Sequence, residues 1–130
     1  MAKDEPTPGS FAARVDAIES AYEFMLAYAA QGRTDEPAGP GHIRDMLTRA
    51  AAALDGIAGA AKAACPAAIA SAAGPLVDVL ADDTKKALAA MRFTLAQRAI
   101  TSQMVDNLNA SIHLRALLTD LFIIDESLKG

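Results

Sequence analysis

Apolar residues recur along this chain in alternating steps of three and four, and that rhythm is helical. Phe11, Val15, Ile18, Tyr22, Met25 and Ala29 form one such stripe, with Ser10 placed to cap it and Gly32 to stop it. A helix over 11–31 is predicted, with Asp16, Glu19 and Glu23 on its wetted side. The next ten residues (GRTDEPAGPG) are dense in turn formers and make the clearest loop. Ile43, Leu47, Ala50, Leu54, Ile57, Ala61 and Ala64 then repeat the rhythm, predicting a second helix over 42–64 that Pro66 ends or kinks. Gly56 and Gly59 fall inside it. An interior glycine costs about 0.5–1 kcal/mol relative to alanine, so close approach of another backbone is expected there. Residues 66–74 predict a further turn or two of helix before a reversal at Gly74-Pro75.

Residues 76–129 contain no glycine or proline. As one helix they would be about 80 Å long, too long for a compact domain of this size. Val77, Leu80, Thr84, Ala87, Met91 and Leu95 make one stripe; Leu114, Leu117, Leu121, Ile124 and Leu128 make another, reinforced by Leu118 and Phe122. Between 100 and 109 the phase is lost among Thr101, Ser102, Asp106, Asn107 and Asn109, side chains that compete for backbone hydrogen bonds. A reversal is therefore expected near Thr101 and Ser102, giving a long C-terminal helical hairpin of 75–100 and 102–128. Asp82-Asp83 offers a second break. If the gap is helical instead, a projecting arm and a helix-exchanged dimer follow. The predicted fold is all-α, an antiparallel four-helix bundle running up-down-up-down, with a flexible tail over 1–9 and a single domain over 10–130.

Composition agrees with helices. The chain of 130 residues is 52% hydrophobic, rich in alanine and poor in aromatics. Its formal charge of −4, with the basic residues scattered, argues against nucleic acid and against an anionic membrane surface as partners. A single cysteine, Cys65, permits no internal disulfide framework and fits a reducing compartment. Acidic residues and two prolines stand where a secretory signal would need an apolar run. The most membrane-like window, 57–73, is interrupted by Lys62 and Pro66. A cytoplasmic location is expected.

Candidate chemistry is sparse. His42 and His113 are the two histidines, and a haem or metal reading would pair them, yet no Glu-x-x-His pair accompanies either. His113 invites comparison with histidine phosphotransfer bundles, whose motif sets a lysine and a glycine after the histidine; Leu114, Arg115, Ala116 and Leu117 follow here. Cys65 has no histidine near it in sequence, and no phosphate-binding loop is present. No catalytic residue, metal or cofactor is assigned. The remaining signal is a surplus of large apolar residues. Phe24 and Tyr28 give the first helix a second apolar side, and Leu114, Leu118, Phe122 and Ile123 broaden the last helix beyond one seam. The leading expectation is a non-enzymatic interaction or scaffold module that self-associates as a homodimer or docks on another helical protein, through those six residues. A small-ligand or cofactor-binding bundle is the alternative, and a histidine-based phosphotransfer protein or enzyme the third reading.

Overall fold

The computed structural model describes residues 6–129, and among them all regular structure is helical. Six helices follow in order: α1 (Phe11–Ala30), α2 (Ile43–Leu54), α3 (Ile57–Ala64), α4 (Ala70–Leu95), α5 (Ser102–Ala110) and α6 (Ile112–Leu128), with a 3₁₀ turn at Ala67–Ile69. Residues 1–5 of the expected tail lie outside the described residues. Ser10 caps α1 as its type suggests, its hydroxyl accepting from the Ala13 amide at 3.2 Å.

The stripes read from the sequence build one core. Phe11, Val15, Ile18 and Met25 of α1 meet Ile43, Leu47 and Leu54 of α2, Leu80 and Met91 of α4, and Leu117 and Leu121 of α6. α1 packs chiefly on α2 and α5, while α4 packs on α6, α3 and α2.

Two predicted helices are each divided in two. The second breaks at Asp55-Gly56, where Gly56 adopts φ +83°, a left-handed conformation that favours glycine. Arg14 covers the break: its Nη1 donates to the carbonyls of Ala53 (3.0 Å) and Asp55 (2.6 Å), the free acceptors at the end of α2. The expected close backbone approach is absent. A methyl group added at Gly56 or Gly59 would meet nothing within 4 Å. The last predicted helix breaks at Ser111, which ends α5 and then caps α6, its hydroxyl accepting from the His113 amide at 3.1 Å.

The chain reverses at Cys65-Pro66, not at Gly74-Pro75. Proline forces its predecessor towards extended geometry, and Cys65 (ψ 130°) and Pro66 (ψ 153°) are both extended. Gly74 lacks the Cβ that would clash with the following proline ring, so α4 runs through Pro75 unbroken. The carbonyl that loses its donor belongs to Ser71, which is exposed to water. Asp82-Asp83 does not interrupt α4 either. The second reversal occupies 96–101, and Thr101 caps α5 by accepting from the Met104 amide at 3.2 Å. The unbroken arm does not form.

Candidate functional site

Arg44, Glu36, Tyr28 and Ser102 tie two loops together at one end of the molecule. Arg44, in the first turn of α2, pairs with Glu36 through two 2.9 Å contacts and donates to the carbonyls of Leu95 and Gln97 just past α4. Glu36 also accepts from the Ile100 amide at 2.9 Å. The hydrogen bonds from Arg44, and then that from Ile100, hold the Glu36 carboxyl below its ordinary range against the opposing effect of burial. Tyr28 donates to the Ile100 carbonyl at 2.6 Å. Ser102, fully buried, donates to the Tyr28 carbonyl and accepts from the Arg33 amide. These contacts make a structural clasp, which satisfies backbone groups that loops would otherwise bury unpaired.

The six residues expected on an interaction surface separate into two groups. Tyr28, Leu114 and Leu118 are buried, and Phe24 is half-buried against the core. Tyr28 belongs to the buried stripe of α1, which runs through Ala21, Met25 and Tyr28 while the expected Tyr22 and Ala29 are half-buried, and its hydroxyl reaches into the clasp. Phe122 and Ile123 are exposed, at 44% and 53%. One residue apart, they point about 100° away from each other around α6. Only Ile123 continues a stripe: Ile112, Ala116, Thr119 and Ile123 follow steps of four, three and four along the outer side of α6.

A matching stripe runs along α4, from Val79 through Asp83, Lys86 and Ala90 to Phe93. Ala90 and Phe93 line a groove together with Met104, Leu108 and Ser111, immediately before Ile112. The Asp83 carboxyl faces Asp120. Residue numbers therefore fall along α6 as they rise along α4, and the two helices are antiparallel. Counting from the aspartates, Val79 and Ile123 sit one turn to one side; Phe93 and Ile112 sit two to three turns to the other. Phe93 (71% exposed) and Ile112 (74%) are the most open large apolar side chains described. The groove beside them, between α4 and α5, has a volume of about 320 Å³. The sequence pattern signalled the breadth of α6, but Val79 and Phe93 lie off the core stripe of α4 and become partners of Ile123 and Ile112 only through the hairpin.

Asp120 is the unusual group of this face. It is only 7% exposed, and its Oδ2 has no hydrogen-bond partner among the described residues. Burial, then the hydrogen bond and the charge of Asp83, push its pKa up to about 7.

His42 stands at the start of α2, half-buried, and His113 is exposed in the first turn of α6. No group of three histidine, cysteine or acidic residues able to hold a metal ion occurs among the described residues. Asp16, Glu19 and Glu23 are all exposed on the outer side of α1. No single helix of the described residues is long and apolar enough to cross a membrane; α3 with the segment 67–95 has the composition, but is bent by 108°. No protein-family model, curated protein or solved structure matches the chain. The class that the geometry defines is an all-helical protein with an apolar outer face along the α4–α6 seam.

Proposed function

We propose that this protein is a non-enzymatic helical interaction module that self-associates, with the outer face of α4 and α6 as the contact between two copies. The observation that carries this reading is the pairing of Phe93 with Ile112, the two most exposed large apolar side chains described, beside an apolar groove, with Val79 and Ile123 farther along the same seam. Apolar side chains scattered singly over a surface need no partner, whereas large ones grouped at a groove mark a contact. A second copy suits such a face. Related by a two-fold axis lying in the plane of contact, it presents the same patch back, which gives an isologous contact. We further infer that α1, α2 with α3, α4, and α5 with α6 form the four legs of an up-down-up-down bundle, in which each leg packs on two neighbours. A reducing, cytoplasmic setting fits the lone Cys65.

The test is a surface variant. Phe93→Ser with Ile112→Ser alters only exposed positions, so helicity and thermal unfolding of the monomer should be retained while the dimer dissociates by at least tenfold. Unchanged association of the variant would overturn the assignment of this face. The second reading, a binder of small apolar ligands, is favoured by the groove between Phe93 and Met104. It expects a fluorescent naphthalene sulfonate probe to bind the wild type and to be lost in Met104→Glu.

A further inference from the structure

Asp120 and Asp83 meet across the seam between α4 and α6 with no cation between them. Among the described residues no lysine or arginine pairs with either carboxylate. On α4, Asp78, Asp82, Lys85, Lys86 and Arg92 are all exposed, and Lys86 lies one turn from Asp83 on the same stripe. On α5, Asp106 lines a different groove with Arg115 of α6. On α1, Asp16, Glu19 and Glu23 are exposed, as is Lys62 on α3. On α6 itself, Asp125 is engaged by Lys129, and His113 is two turns away, about 10 Å. Asp83 is the charged group whose field raises the Asp120 carboxyl, after burial.

Two ionised carboxylates in contact repel each other, and one of these is nine-tenths buried with an unpartnered oxygen. A single proton removes the conflict. The protonated carboxyl then donates to the other, and one buried charge disappears. We propose that Asp83 and Asp120 form a proton-operated latch: a proton shared between them holds α6 against α4, and its loss loosens α6 from the bundle. The proton comes from solvent and returns to it, so no other reactant is required. The latch acts within one chain, so it can be read in the monomer as well as in the dimer.

Carbon-13 NMR titration of the aspartate side chains reads the latch directly. Asp120 should titrate with a midpoint near 7, the value its burial and Asp83 impose, in place of its ordinary 3.8. In Asp83→Asn that midpoint should fall, since the second charge is gone and an amide donor takes its place. Amide exchange in α6, corrected for intrinsic pH dependence, should accelerate between pH 6 and 8 relative to α1, and Asp120→Asn should abolish that difference. If Asp120→Asn fails to fold, the Asp83→Asn titration decides. Titration of Asp120 at its ordinary 3.8, or acceleration of α6 that survives in Asp83→Asn and Asp120→Asn alike, would overturn the latch. So would a millimolar Mg²⁺ or Ca²⁺ effect that protects α6 at pH 8 in wild type only, since the pair would then hold a cation instead of a proton.

Discussion

Both backbone groups of Ile100 are held by side chains from the first helix and the loop that follows it: its carbonyl by the Tyr28 hydroxyl, its amide by the Glu36 carboxylate. Removing the hydroxyl in Tyr28→Phe leaves a buried carbonyl unpaired and should cost about 1–2 kcal/mol, read as a lower urea midpoint with an unchanged slope. Glu36→Gln should cost a similar amount, about 1–2 kcal/mol after allowing for the solvent around Arg44. The Glu36 contribution also carries a pH signature. Its carboxyl is held below the unfolded value, so the stabilisation is complete above that value and is lost as pH falls through the folded one. The acid limb of a stability–pH curve should therefore flatten in Glu36→Gln. None of this was legible from periodicity. Tyr28 sits one helical turn from Phe24 and read as a second apolar side, because a hydrogen bond spanning 72 residues leaves no mark on local spacing. The polar gap around Ser102 was visible, but its partners at Tyr28 and Arg33 were not.

Glycine at 56 and glycine at 59 looked alike in the sequence and differ in the structure. Gly56 needs its positive φ, so Gly56→Ala should destabilise by about 1 kcal/mol. Gly59 is helical with open space around it, so Gly59→Ala should stabilise by about 0.5–1 kcal/mol. Thermal unfolding of the two variants checks the opposite signs. The apolar stripes were legible because burial imposes them: every predicted core position from Ile43 to Ala61 is buried. The breaks within α2–α3 and α5–α6 were not, because the step of three from Leu54 to Ile57 keeps the stripe in phase across the turn. Pro75 misled in the other direction, since a preceding glycine removes the clash that usually ends a helix before proline.

At the scale of the molecule, the latch and the outer apolar face occupy the same seam. Asp120 binds its proton more tightly folded than unfolded. Its ionisation therefore costs nothing below about 4, and the cost grows as pH rises towards about 7. Combined with Glu36, this places the stability maximum in acidic solution near the ordinary carboxylate range, with a decline from about pH 4 to about 7 that Asp120→Asn should remove; melting temperatures across pH 4–9 check it. A face made of α4 and α6 is only as well formed as the contact between those helices, so self-association should weaken over the same interval. The account's central claim is that two copies meet on this face. Sedimentation velocity of the wild-type chain at pH 6, over micromolar to tens of micromolar concentration, tests it most directly. The account predicts a species of about 27 kDa, twice the 13.5 kDa chain, that Phe93→Ser with Ile112→Ser returns to monomer. A single 13.5 kDa species at every concentration would contradict it.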